Sequence, residues 1–257
     1  MDRPREPLPT RVEDTPILPP AYDTALDAGL RALSLTLTPT ARAAIDGHAR
    51  LLLAWTAAIN ITAIRDPAAV ALAHVVDSLS AVALLRERGI DRYIDLGAGG
   101  GYPGLPIAVA LPAARALLLE PIGKKAAFLT VAAAATGLAE TVEAAPVRGE
   151  ALAADARHRG RWPAVTARAV AGLADLVELA FPLLVQGGCL VAWKRGDLAP
   201  ELAAAERAMA ALGGGSLDVR SVGVAGLDGH RLVVATSRGR APDEYPRDPG
   251  ARKRRPW

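Results

Sequence analysis

The chain of 257 residues contains one cysteine, Cys189, and no uninterrupted apolar run long enough to cross a bilayer. A single cysteine excludes an internal disulfide and a metal cluster built from cysteines. The first residues are charged and rich in proline, without the apolar stretch of a secretory signal. We therefore expect a cytoplasmic protein with no membrane segment and no bound metal.

Positive charge is concentrated at the C-terminus. Residues 237–257 contain seven basic and three acidic residues, a net charge of +4, so the other residues carry −1 within the total of +3. Such a basic tail suits contact with the phosphates of a nucleic acid, and a solvated, disordered end is the alternative.

A glycine-rich turn at 97–104 separates a short apolar segment at 92–96 from a helical segment. Glycine lets the backbone approach a ligand closely, and the start of a helix presents free N–H groups, so this unit predicts a nucleotide-binding turn. The spacing from Gly99 also fits the dinucleotide fingerprint. However, Gly97 closes the strand, and Tyr102 stands where that fingerprint needs a small residue. The pattern favours the S-adenosylmethionine turn of class I methyltransferases over an NAD turn.

Strands and helices alternate after this turn. Further strands are predicted near 115–119, 140–144, 164–168, 188–194, 217–224 and 230–236, and helices near 123–136, 149–158, 172–185 and 199–212. Alternation predicts a parallel sheet covered on both faces, and the short link at 227–229 predicts an antiparallel last strand. We predict an α/β fold, the Rossmann-like seven-stranded sheet of class I S-adenosylmethionine-dependent methyltransferases, with an N-terminal helical cap.

Four regions are predicted along the chain. They are a disordered, proline-rich extension at 1–20, the helical cap at 21–90, the methyltransferase domain at 91–236 and the basic tail at 237–257. Within the cap, Thr38-Pro39 and Asp66-Pro67 predict helix starts, because each pairs an N-cap residue with a proline at the first helical position.

The second and third strands are followed by acids at the edge where an open parallel sheet binds its ligand. Glu120 ends the second strand, where a carboxylate can accept both hydroxyls of a ribose. Gly149 and Glu150 follow the third strand and are predicted to meet the adenine edge. The alternatives are that Glu120 caps the next helix, and that Glu150 belongs to an ordinary first helical turn.

Cations follow the fourth and fifth strands. Arg168 closes the fourth, and Lys194 and Arg195 close the fifth. Since arginine is rarely buried unpaired, we expect Arg168 to pair with the cofactor, a phosphate or an acid such as Glu150. Two neighbouring cationic strand ends favour an anionic substrate, which indicates nucleic acid.

Two kinds of methyltransferase chemistry lack their usual residues. Cytosine C5 methylation needs a thiolate, and Cys189 lies inside a predicted buried strand. Adenine amine methylation usually shows an Asn/Asp-Pro-Pro-aromatic motif, where this chain has Ala167-Arg168-Ala169. Guanine N7 has a free lone pair at neutral pH, so its methylation requires alignment and no general base.

Polar residues interrupt the apolar stretches of the cap at Asn60, Thr62, His74, Asp77 and Ser78. Asp77 and Ser78 are candidates for a hydrogen-bonding cluster that joins the cap to the sheet. A lone histidine such as His74 is more often a satisfied interface residue than a catalytic base.

These motifs together resemble the RsmG family (also called GidB), bacterial methyltransferases that make 7-methylguanosine in 16S ribosomal RNA. The matching segments occur in family order and are 55–62, 73–78, 95–106, 123–125, 148–150, 167–169 and 245–247 with Gly250. Thr56 and Ala73 replace an asparagine and an arginine of the family pattern, and Glu120 replaces the commoner aspartate.

The resemblance implies S-adenosyl-L-methionine as cofactor and 16S ribosomal RNA or the small ribosomal subunit as partner of a monomer. The implied cofactor contacts are Gly97, Gly99, Gly101, Tyr102, Glu120, Gly149, Glu150 and Arg168. The expected substrate contacts are Lys194, Arg195, Arg247, Arg252, Lys253, Arg254 and Arg255. No catalytic residue is predicted, and the positioning candidates are Arg168, Lys194, Arg195 and His74. The alternatives are a methyltransferase of another RNA, a protein or a small molecule, and a non-catalytic cofactor-binding subunit that docks on the ribosome.

Overall fold

A seven-stranded sheet forms the centre of the computed structural model, which describes residues 7–257. Its strands are β1 (Arg92–Leu96), β2 (Arg115–Leu119), β3 (Val142–Ala145), β4 (Trp162–Arg168), β5 (Leu184–Arg195), β6 (Gly215–Ser221) and β7 (His230–Ser237). They lie in the order β3-β2-β1-β4-β5-β7-β6, and β7 is antiparallel to both of its neighbours. The predicted class I methyltransferase fold is confirmed.

Eleven helices accompany the sheet among the described residues. They are α1 (Pro20–Ala32), α2 (Pro39–Ile59), α3 (Pro67–Val70), α4 (Asp77–Leu79), α5 (Val82–Glu87), α6 (Gly104–Ala110), α7 (Gly123–Ala135), α8 (Gly149–Ala154), α9 (Leu173–Ala180), α10 (Ala199–Ala211) and α11 (Pro249–Arg254). A π-helical segment, Ala71–Val76, joins α3 to α4. Both predicted N-caps are confirmed, since Thr38 accepts the N–H of Ala41 and Asp66 that of Ala69.

The two faces of the sheet carry separate apolar cores. Alternate residues of β1 point to opposite faces, so Tyr93 belongs to one core and Ile94 to the other. The Tyr93 core includes α6, α7 and the helices of the cap. The Ile94 core is covered by α8, α9 and α10. The cap therefore adds a further layer over one face and reaches the ends of the strands.

The N-terminal segment differs from the predicted disorder. Residues 7–19 contain a 3-10 turn, Val12–Asp14, and lie against α2. Trp55 Nε1 donates to the carbonyl of Pro9 at 2.7 Å, and Arg50 Nε donates to that of Pro16 at 2.9 Å. Residues 1–6 of that prediction lie outside the described residues.

The helical stretch Pro67–Glu87 is long and apolar enough to cross a membrane by length and composition, and an 18-residue window within it has a mean hydropathy of 1.9. His74, Asp77 and Ser78 interrupt the stretch, so it is not an uninterrupted apolar run. Within the protein 61% of that window is buried. Buried core helices of soluble proteins share this length and composition, so the stretch is weak support for a membrane segment.

Candidate active site

The glycine turn follows β1, and its backbone occupies conformations that favour glycine. Gly97, Gly99 and Gly101 have φ angles of +66°, +56° and +85°. A Cβ on Gly97 would lie 2.7 Å from Cγ2 of Val170. The turn thus brings bare backbone to the carboxyl end of the sheet, as the sequence predicts.

Asp95, the last acid of β1, holds this turn in place. Its Oδ2 accepts the N–H of Gly104 at 2.9 Å, and its Oδ1 accepts the hydroxyl of Thr166 at 2.7 Å. Complete burial raises the pKa of Asp95 to about 7. This role of Asp95 was not predicted, although an acid that ends an apolar strand two residues before a glycine is a usable signal.

Glu120 connects the end of β2 to the glycine turn. Its Oε2 accepts the N–H of Gly99 at 3.0 Å, and its Oε1 accepts the N–H of Ile122 at 2.8 Å. The residue is 5% exposed. Two backbone donors therefore orient the carboxylate, and each oxygen keeps a lone pair for a further donor. The Ile122 bond lies just before α7, so the capping alternative accounts for one of the two contacts.

A cavity of about 380 Å³ opens beside these groups. Its sheet side is formed by Gly97–Gly100, Tyr102, Glu120 and the segment 168–170. Its cap side is formed by Leu52, Ile61, Thr62 and His74, and Lys125 of α7 also lines it. The cavity lies where a doubly wound sheet binds its ligand, beyond the carboxyl ends of the strands.

Tyr102 is held between two histidines at the floor of the cavity. Its ring stacks on His48 at 4.4 Å and on His74 at 4.8 Å between centroids. His48 Nε2 donates to the carbonyl of Gly100 at 2.7 Å. Burial lowers the pKa of His48 to about 4 and that of His74 to about 3, so both rings are neutral. His48 was not predicted as a site residue, because it lies within the apolar pattern of α2.

Arg168 points to the cap. Its Nη1 donates to the carbonyl of Ala73 at 2.9 Å and to Asp77 Oδ2 at 3.1 Å. Its Nη2 lies 3.3 Å from His74 Nδ1, and its guanidinium lies over the ring of Tyr102. The acid that pairs with Arg168 is thus Asp77, and the suggested partner Glu150 pairs elsewhere.

Asp77 joins the cap to three strands. Besides Arg168 of β4, its carboxylate contacts His230 Nδ1 of β7 at 3.0 Å, and its carbonyl accepts Trp193 Nε1 of β5 at 2.7 Å. The side chain is 3% exposed. Ser78 bonds within its own helix, to the carbonyl of His74. Asp77 therefore forms the predicted cap-to-sheet cluster, without Ser78.

Comparison with known proteins gives the family. A model of the family described as "GidB: rRNA small subunit methyltransferase G" matches residues 42–228. The chain belongs to this family. The chain is 42% identical over 210 residues to Ribosomal RNA small subunit methyltransferase G of Rubrobacter xylanophilus, covering 80% of each protein. It is 39% identical to the protein of the same name from a Roseiflexus species, over 79% of this chain and 86% of the relative.

A solved structure supports the fold of the chain. The O-methyltransferase of Bacillus cereus, determined in complex with SAH, aligns with a TM-score of 0.56 at 16% identity, over 84% of this chain and all of that one. At this identity the likeness concerns the fold alone. The predicted family resemblance is confirmed by the family match.

The cations at the end of β5 have different surroundings. Lys194 Nζ lies 2.6 Å from Glu201 Oε2 and donates to the carbonyl of Ala171 at 2.8 Å. Glu201 also accepts the N–H of Leu173, so the pair braces the segment between β4 and α9. Arg195 is exposed. Lys194 thus has an internal partner, Glu201, that the sequence pattern did not predict.

The basic tail folds onto the domain around a buried acid, Glu178 of α9. Arg247 Nη2 lies 2.6 Å from Glu178 Oε2, and Trp257 Nε1 donates to the same oxygen at 2.6 Å. Arg252 forms an ion pair with Glu150. Neither Glu150 nor Gly149 lines the cavity at the glycine turn. The side chains of Lys253, Arg254 and Arg255 are exposed.

Proposed function

We propose that the chain transfers the methyl group of S-adenosyl-L-methionine to N7 of a guanine in small-subunit (16S) ribosomal RNA. The observation that carries this proposal is a cavity at the glycine turn, in a member of the GidB family, that combines an oriented carboxylate with a neutral histidine, His74, engaged at both ring nitrogens. We further propose that it acts as a cytoplasmic monomer.

The residues present fit the cofactor. The turn leaves room for close approach of a ligand to the backbone, because Gly97 and Gly99 have no Cβ and positive φ angles. Glu120 would accept the hydroxyls of the ribose with the lone pairs that Gly99 and Ile122 leave free. The bound cofactor supplies an electrophilic methyl group on a positively charged sulfur.

The chain's own contribution is alignment. Guanine N7 carries no proton, so the reaction requires no base, and His74, the candidate base, is engaged at both ring nitrogens. A cation against the base itself would oppose the positive charge that develops on the purine. Arg168 is paired with Asp77, which moderates its charge at the cavity. Catalysis therefore rests on orientation of the two reactants in this cavity.

The RNA contacts are assigned to exposed cations. Arg195 lies at the end of β5, and Lys253, Arg254 and Arg255 lie at the end of the tail. Their free charges suit RNA phosphates, which give a salt-dependent share of affinity. Arg247, Arg252 and Lys194 hold internal acids, and we propose that they position these segments.

The test is methyl transfer from radiolabelled S-adenosylmethionine to small-subunit RNA isolated without the modification. We expect label at one guanine, whose backbone becomes cleavable by mild reduction and aniline, as expected for an N7-methylated base. Glu206→Ala, at an exposed glutamate of α10, is the matched control for Glu120→Ala and should retain full transfer. Label on an exocyclic amine, a ribose or a protein would overturn the proposal.

A further inference from the structure

The hydrogen-bond directions around His74 follow from its partners. The guanidinium of Arg168 carries only N–H donors and contains no acceptor atom. In its contact of 3.3 Å with His74 Nδ1, the histidine nitrogen is therefore the acceptor. The ring proton of the neutral histidine is then on Nε2. Nε2 lies 2.8 Å from Thr62 Oγ1, and His74 therefore donates to the hydroxyl oxygen of Thr62.

Thr62 receives a second donor from the backbone. The N–H of Ile64 donates to Thr62 Oγ1 at 3.1 Å. A hydroxyl oxygen has two lone pairs and one proton, so these two bonds use its whole accepting capacity. Thr62 lines the cavity beside His74 and the glycine turn. The cavity thus contains a hydroxyl that can only donate, and two fixed neighbours set its position.

We propose that the hydroxyl of Thr62 donates a hydrogen bond to O6 of the target guanine and thereby selects guanine over adenine. This rests on the proposed function. O6 is an acceptor next to N7 on the same edge of guanine, whereas adenine presents the N6 amino donor at that place. A fixed donor satisfies the first base, and it leaves two donors facing each other for the second.

The position and the neutral charge of the Thr62 hydroxyl favour a hydrogen bond to the base over one to the cofactor's carboxylate. Thr62 belongs to the cap, in the segment between α2 and α3, whereas the cofactor contacts proposed above lie at the glycine turn and the end of β2. Methylation at N7 makes the purine positively charged. A neutral hydroxyl at O6 does not oppose that charge, unlike a lysine or arginine at the same place.

The experiment is a double-mutant cycle between the protein and the RNA. Thr62→Val removes the hydroxyl with little change of shape, and RNA with 2-aminopurine at the target position keeps N7 but lacks O6. On guanine RNA, Thr62→Val should lower the single-turnover rate or raise KM by roughly 10- to 100-fold, the loss for a donor whose partner is left unpaired. On 2-aminopurine RNA, wild type and Thr62→Val should react at similar rates.

Matched variants separate selectivity from structure. Thr62→Ser keeps the hydroxyl and should restore most of the rate on guanine RNA. Thr24→Val removes an exposed hydroxyl that bonds within α1, and it should change neither substrate. Calorimetry should show that Thr62→Val binds S-adenosylmethionine with wild-type affinity.

Three results would overturn the assignment. The first is an equal loss on both RNAs, and the second is a weakened cofactor in Thr62→Val. The third result is that wild type methylates guanine RNA and 2-aminopurine RNA at equal rates. This result does not depend on any variant. If Thr62→Val does not fold, Thr62→Ala takes its place in the cycle. Failure of wild type to methylate any guanine would instead refute the proposed function.

Discussion

Replacing Glu120 by alanine should weaken S-adenosylmethionine binding without unfolding the protein. The carboxylate is oriented by the N–H groups of Gly99 and Ile122, so no reorganisation is needed before it accepts the ribose hydroxyls. Hydrogen bonds to a charged group contribute roughly 1.5–3 kcal/mol, which corresponds to about a 10- to 150-fold increase in Kd. The glycine turn loses one acceptor as well, and we expect a loss of about 1 kcal/mol in the free energy of unfolding.

Titration calorimetry with the cofactor, together with urea denaturation, measures both effects. Glu206→Ala, an exposed glutamate on α10, should match wild type in both. Glu120→Gln should resemble the alanine variant, because its amide NH₂ would face one of the two backbone donors. Glu120→Asp should retain part of the affinity, since the charge remains on a shorter side chain. A folded Glu120→Ala protein with unchanged cofactor affinity would refute the assignment.

Three further predictions concern pH and salt. Asp95 has a pKa of about 7 in the folded protein, above its ordinary value of 3.8. Between these two values the native state keeps a proton that the unfolded chain has lost. Stability should therefore fall as pH rises from about 4 to 7. In wild type the free energy of unfolding should fall by about 1.4 kcal/mol per pH unit in this range, and this fall should be absent in Asp95→Asn. Urea titrations of both proteins measure it, and equal slopes would contradict the prediction. The single-turnover rate with saturating RNA should stay nearly constant from mildly acidic to mildly alkaline pH, since His74 has a pKa of about 3. A rate that falls with unit slope at acidic pH in wild type, but not in His74→Ala, would instead show a general base. Replacing Lys253, Arg254 and Arg255 by alanine should flatten the dependence of log RNA affinity on log salt by roughly 0.7–0.9 per lost phosphate contact, at constant cofactor affinity; an unchanged slope would make the tail's end merely solvated.

The fold was predictable because its signals are local. Gly97 requires a positive φ whatever its distant neighbours are, and Thr38 and Asp66 cap helices that begin one residue later. Alternating strands and helices allow few topologies, since crossovers between parallel strands are right-handed. The predicted disorder of the N-terminal extension was wrong over residues 7–19, because composition does not reveal that Trp55 needs an acceptor for its indole N–H.

The sequence by itself determined the sheet, the glycine turn and the placing of Glu120 at a strand end, because hydrophobic periodicity and turn chemistry act over a few residues. Only the tertiary structure decided which charges meet. Arg168 pairs with Asp77 across 91 residues, and Arg252 with Glu150 across 102. From the sequence alone, several acids could pair with each of these arginines. Which acid does so follows from the strand order and from the position of the cap over one face of the sheet. The donor directions at Thr62 arise in the same way, since they depend on a histidine oriented by an arginine from the far side of the cavity.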